Sequence, residues 1–100
     1  MNRNMLKQLQ QMQARLLKVQ QELETATVEA SAGGGAVKVV VTGKLRLQKV
    51  TIDPSAIDPQ DPTMLEEMVQ AAVNEGLQKA EEMASQRISQ VTGGLKIPGL

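Results

Sequence analysis

Four basic residues in the first 21 positions could bind phosphates, because no acidic residue lies among them. On a helix whose heptad places Leu9 at position a, these bases occupy positions b, f, g and c, away from the apolar seam. They then form one basic outer surface that attracts anions. An ordinary solvated helix face is the alternative, since charged side chains are mostly exposed in any protein. The residues of the predicted basic surface are Arg3, Lys7, Arg15 and Lys18.

Two acidic pairs and a triple glycine resemble catalytic or phosphate-binding motifs but lack the residues that such sites need. Neighbouring residues on a helix point about 100° apart, so paired glutamates do not converge on one ligand. The glycines are not followed by the lysine and hydroxyl residue of a P-loop, and they join two predicted strands. We interpret the acids as solvated charges and the glycines as a turn. The motifs concerned are Glu66 with Glu67, Glu81 with Glu82, and Gly33 to Gly35.

The composition excludes several classes of protein. The chain has no Cys, His, Phe, Trp or Tyr, which removes thiolate and imidazole chemistry, disulfides and the usual zinc sites. It also lacks the aromatic platforms on which single-stranded bases stack. We therefore expect no enzyme activity, no cofactor, no metal and no small-molecule substrate. Eleven basic and eleven acidic residues cancel, so any binding of nucleic acid must come from local patches.

Length and hydropathy predict a single domain over residues 1–100. The N-terminus lacks the pattern of a signal peptide, and no run of eighteen apolar residues occurs. We expect a cytoplasmic protein with no membrane contact.

The apolar pattern predicts a long helix at each end of the chain. Asp61 as N-cap, Pro62 at the first helical position and Gly93 as a stop signal delimit the second helix. The first helix runs from about Arg3 to about Glu24. Its apolar positions, spaced four and three apart, are Met5, Leu9, Met12, Leu16, Val19 and Leu23.

Between the helices, alternating apolar residues predict three short strands. The glycines at 33–35 form the first turn, and Gly43 with Lys44 forms the second. In the third strand the apolar positions change from odd to even near Gln48 and Lys49, which predicts a β-bulge. The chain is therefore expected to be α+β, in the order α-β-β-β-α, with a three-stranded antiparallel meander between two long helices.

The two predicted helices are too long for one compact domain. They measure roughly 33 and 45 Å, whereas a compact domain of this size has a radius of gyration of about 13 Å. Small residues also recur every four positions along the second helix. They either let a second helix approach closely or fill a tight space against the chain's own sheet. We predict a homodimer whose interface includes Leu9, Met12, Leu16, Ala72, Gly76, Ala80 and Ala84.

An ordered set of short motifs extends over nearly the whole chain. They are LKQLQQMQ at 6–13, VEASAGGGAV at 28–37, IDP at 52–54, Asp61 with LE at 65–66, AVNE at 72–75 and GGLKIPGL at 93–100. In order and spacing they resemble the YbaB/EbfC family of nucleoid-associated proteins. The resemblance implies a small cytoplasmic dimer that binds DNA with little or loose sequence preference.

Two hypotheses about function follow. The first is a nucleoid-organising dimer that binds duplex DNA mainly through phosphates, with a role in gene regulation; its contacts come from the basic surface together with Arg87 and Lys96. The second is a protein-interaction or scaffold dimer whose helices bind a partner protein. In that case the basic face is solvated and contacts no ligand. Salt-dependent retardation of duplex DNA separates the two.

Overall fold

The computed structural model describes residues 2–93 of the chain. The three strands form one antiparallel sheet in the order β1-β2-β3. The predicted order α-β-β-β-α is confirmed. The elements are α1 (Arg3–Leu23), β1 (Thr27–Ala32), β2 (Val37–Thr42), β3 (Leu47–Ile52), a short 3₁₀ helix (Pro54–Ala56) and α2 (Pro62–Thr92).

Both long helices begin and end where local signals place them. The Asn2 side chain caps α1 by accepting a hydrogen bond from the Met5 N–H at 2.7 Å. Asp61 caps α2 in the same way, and Pro62 follows it at the first turn. Gly93 ends α2 in the left-handed conformation, with φ 64°, which costs a glycine little.

The core lies between α2 and one face of the sheet. Val37, Val39 and Val41 alternate along β2 and are each at most 1% exposed, as the period of a half-buried strand requires. Helix α2 packs across β1 and β2. We call the face that it covers the inner face of the sheet and the opposite one the outer face.

The row of small residues on α2 faces this sheet. Ala72 and Ala80 are fully buried within the chain, and a Cβ added to Gly76 would lie 2.8 Å from Val41 Cγ2 and 3.0 Å from Val39 Cγ2. The structure therefore supports the alternative interpretation of the row, a tight space against the chain's own sheet. This corrects the assignment of Ala72, Gly76 and Ala80 to a dimer interface, because the sheet already occupies their surface. Ala84 is half-buried.

The β1–β2 turn depends on glycine. Gly33, Gly34 and Gly35 have φ values of 65°, 67° and 94°, a region that side chains with a Cβ rarely adopt. A Cβ on Gly33 would also collide with the Met68 sulfur of α2. The predicted hairpin turn is confirmed, and it lies against the first turns of α2.

We expect Gly34→Val to destabilise the fold by about 1–2 kcal/mol, the cost of a left-handed conformation for a residue with a Cβ. No heavy atom lies within 4 Å of a Cβ at Gly34, so the loss reports backbone strain and not collision. Thermal unfolding measures it, with Gly34→Asn as a milder control because asparagine tolerates this conformation. Full thermal stability with loss of ligand binding would instead make the turn a binding loop.

In the second turn, the residue with the left-handed conformation is not the glycine. Gly43 is required by close approach, because a Cβ there would lie 2.6 Å from Leu23 Cδ2. The left-handed residue is Leu45, with φ 61°, held by a hydrogen bond from its N–H to the Thr42 carbonyl. The close packing of α1 on the turn therefore requires glycine at position 43. The strained left-handed backbone conformation falls on Leu45 instead.

The predicted bulge in β3 is confirmed. Val40 pairs with Lys49 and Val41 pairs with Leu47, so Gln48 is the extra residue. This insertion keeps the apolar residues of β3 on the inner face on both sides of the bulge.

The molecule is elongated, measuring 69 × 19 × 18 Å with a radius of gyration of 18.8 Å, well above the value of about 13 Å for a compact chain of this length. The second half of α1 packs beside the end of α2, where Val19 lies near Val91. Leu23 is buried, whereas Met5 and Leu9 are 51% and 42% exposed. The first half of α1 therefore extends beyond the rest of the fold described.

Candidate nucleic-acid interface

The basic surface predicted on α1 is present in the structure. Its four bases are exposed, while Met12, Leu16 and Val19 on the apolar side of the helix are half-buried, and Val19 lies beside Val91 of α2. This separation follows from the heptad, because charged side chains remain hydrated opposite an apolar seam. Arg3 and Lys7 lie on the extending half of α1, and Arg15 and Lys18 lie on the packed half.

Arg15 and Arg87 come together at the junction of the two helices. Both line a shallow depression between α1 and α2, together with Glu22, Gln90 and Val91. Arg87 is half-buried. Guanidinium groups present several donors in a planar fork that suits phosphate oxygens. Arg87, one of the residues predicted to contact DNA, therefore lies at the packed end of the basic surface, whereas Lys96 lies outside the described residues.

Apart from Glu22 and Glu24 at the end of α1, the acidic side chains lie on other elements of the molecule. The acids of α2 are exposed on its solvent side, and within residues 2–93 the ion pair observed joins Lys79 to Glu75 at 3.6 Å. No group of three acidic residues within the same range is placed to hold a metal ion. Within the same residues, no salt bridge joins one of the α1 bases to a carboxylate. The acids concerned are Glu66, Glu67, Glu81 and Glu82.

Four further bases, outside the set of predicted DNA-binding residues, lie on the second hairpin. Residues 30–52 contain no acid, the same signal that singled out the first 21 residues. Lys38 lies on β2, Lys49 on β3, and Lys44 and Arg46 lie between these strands. All four are exposed.

Neither α1 nor α2 has the combination of length and hydropathy that a membrane-spanning helix needs. Exposed basic surfaces on an elongated chain are features of a protein that binds an extended anion.

The chain belongs to the YbaB/EbfC DNA-binding family, whose model matches residues 1–95. This is a family of nucleoid-associated DNA-binding proteins and not of enzymes. A relative from Pelotomaculum thermopropionicum is 53% identical over 96 residues, which is 96% of this chain and 91% of that protein. A relative from Acetivibrio thermocellus is 54% identical over 98 residues, covering 97% and 87% of the two chains. Both are named nucleoid-associated proteins.

The fold has a solved counterpart. The crystal structure of an uncharacterized protein from Helicobacter pylori superposes with a TM-score of 0.77 at 22% identity, covering 93% of this chain and 99% of the other. At this identity the similarity concerns the fold alone. It confirms the helix-sheet-helix architecture predicted from the sequence.

Proposed function

We propose that this protein binds duplex DNA as a homodimer, mainly through phosphate contacts and with loose or no sequence preference. It acts at the nucleoid in the cytoplasm, in nucleoid organisation and gene regulation. The observation that carries the proposal is the exposed basic surface of α1, formed within 21 residues that contain no acid, in a member of a DNA-binding family.

Phosphates suit this surface better than bases do. The four side chains extend from Arg3 to Lys18, about 22 Å along the helix, or roughly six to seven base pairs at 3.4 Å each. The chain has no aromatic residue to stack on a base. Lysine and arginine contacts to phosphate fix the position of a protein on DNA without distinguishing sequences.

A second copy of the chain is the proposed occupant of an uncovered apolar surface. Leu47 and Val50 lie on the inner face of β3, opposite buried residues of β2, yet they remain 45% and 39% exposed because α2 packs on β1 and β2. Ile57 and Met64 are exposed nearby in the chain. A twofold axis beside β3 would bury these residues and double the number of α1 bases available to DNA.

We therefore expect a dimer at micromolar concentration, and a monomer after Val50→Lys, because a charge on the inner face of β3 would be buried without a partner. Thr51→Lys is the matched control, since the neighbouring residue lies on the outer face. Sedimentation equilibrium measures both. A wild-type chain that stays folded and monomeric at tens of micromolar would contradict the dimer proposal.

Duplex binding is tested by titrating one labelled DNA at two salt concentrations, together with a second duplex of unrelated sequence. If all of the roughly eight α1 bases of a dimer contact phosphates, the slope of log affinity against log salt is about −7. Affinity then falls about 10⁴-fold between 50 and 200 mM salt. Absence of binding at low salt would favour the scaffold hypothesis instead.

A further inference from the structure

The outer face of the sheet is open and carries its own basic patch. Its residues alternate with those of the core, as the pleat of a sheet requires. The face is exposed apart from half-buried Val40 and buried Thr42 at the end of β2. The face includes Glu29, Ser31, Lys38, Val40, Lys49 and Thr51, which line one shallow depression with residues of α2 at the sheet edge.

The strand register places two lysines side by side on this face. Lys38 pairs with Thr51 and Val40 pairs with Lys49, so Lys38 and Lys49 are diagonal neighbours on adjacent strands. Diagonal residues on one face lie about 7–8 Å apart. The bulge at Gln48 contributes to this arrangement, because it sets the face on which Lys49 lies.

Nearby acids offset this pair of lysines only in part. Glu29 lies on β1, on the same face and diagonal to Lys38. Lys79 donates to the backbone carbonyl of Glu29 at 3.1 Å and pairs with the carboxylate of Glu75. Asp53, just after β3, accepts hydrogen bonds from the Ser55 N–H and hydroxyl, which lower the pKa of its carboxyl. Hydrogen bonds of this kind keep the Asp53 carboxylate charged. Within the three strands, the outer face carries two lysines, Lys38 and Lys49, against one acid, Glu29, so it is positive over β2 and β3.

We propose that the outer face of the sheet is a second contact surface for duplex DNA, on which Lys38 and Lys49 bind backbone phosphates. The inference rests on the proposed function but adds a surface separate from α1. The cross-strand partners of the two lysines, Ser31, Val40 and Thr51, are short or β-branched, so a phosphate backbone can approach the sheet closely between β2 and β3. No base-specific contact is expected here, since phosphate contacts carry no sequence information.

The test compares the salt dependence of DNA binding by the full chain and its Lys38→Gln, Lys49→Gln double variant. Each lost phosphate contact lowers the slope of log affinity against log salt by about 0.9. We expect a decrease of about 1.8 if one copy of the face touches DNA, and about 3.6 if two copies do. The Lys38→Arg, Lys49→Arg variant should retain the wild-type slope, because it keeps both charges.

A second control separates a local contact from net charge. Gln70→Glu with Asn74→Asp changes the net charge by the same amount as the lysine variant, on exposed positions of α2. At physiological salt, charges more than about 8 Å away are largely screened, so this control should leave the slope unchanged. Thermal unfolding verifies that every variant is folded.

The outcomes distinguish this inference from the proposed function. If the wild type binds duplex DNA but the Lys38→Gln, Lys49→Gln variant keeps the same affinity and salt dependence, the proposal of a second contact surface is wrong and the proposed function stands. An equal loss in the net-charge control also overturns the second surface. If the wild type does not bind duplex DNA, both proposals fail.

Discussion

A Gly76→Val variant is expected to lose about 3 kcal/mol of folding free energy, at the upper end of the usual cost of overpacking a core. The helix passes so close to the sheet here that even a Cβ would lie 2.8 Å from Val41 Cγ2 and 3.0 Å from Val39 Cγ2. Both valines are themselves buried in the centre of the sheet. A branched side chain must therefore push α2 away from β2, which opens the core.

This loss corresponds to a decrease of roughly 12–24 °C in melting temperature for a domain of this size. Ala71→Val is the matched control, because it places valine on an exposed position of the same helix and costs only the difference in helix propensity, about 0.6 kcal/mol. Calorimetry or circular dichroism follows both variants. If the melting temperature of Gly76→Val lies within a few degrees of that of the control, then α2 and the sheet can move apart at little cost in stability.

The second large effect is expected from removing charge on α1. A Lys7→Gln, Lys18→Gln double variant should flatten the slope of log affinity against log salt by roughly 2 to 4, depending on how many copies in a dimer touch DNA at once. Both lysines are exposed on the same side of the helix, so the change removes phosphate contacts without opening the core. Preference among DNA sequences should barely change.

The control for this variant is Lys7→Arg with Lys18→Arg, which keeps both charges and should keep the slope. Fluorescence anisotropy at several salt concentrations measures all three proteins. Unchanged affinity and slope in the glutamine variant would show that α1 is not the DNA surface, and the bases on the sheet would then carry the binding.

Many local features of this fold could be predicted because their causes are close together in the chain. The caps of α2 depend on Asp61, Pro62 and Gly93, each within a turn of the helix end that it determines. The bulge was visible as a change of apolar phase within one strand, and the register places the extra residue at Gln48. Signals of this kind need no knowledge of the neighbouring elements.

The sequence alone places the bases of α1 on one surface, but it does not do so for the bases of the strands. On a helix, the spacing of Arg3, Lys7, Arg15 and Lys18 is enough to place them on one side, since the helical period is fixed. On strands, Lys38 and Lys49 share a face only because of the register between β2 and β3, which includes the bulge. The absence of acids over residues 30–52 therefore indicates a basic surface only once the register between β2 and β3 is known.

The sequence by itself determined the order of the elements, the ends of the helices, the turn glycines and the positions that share an apolar face. Only the tertiary structure decided what each apolar face meets. The small residues around Gly76 fit the chain's own sheet, while Leu47 and Val50 stay exposed beyond the reach of α2. Periodicity is a property of one element and identifies its apolar side, whereas the surface that covers that side depends on distances between residues far apart in the chain.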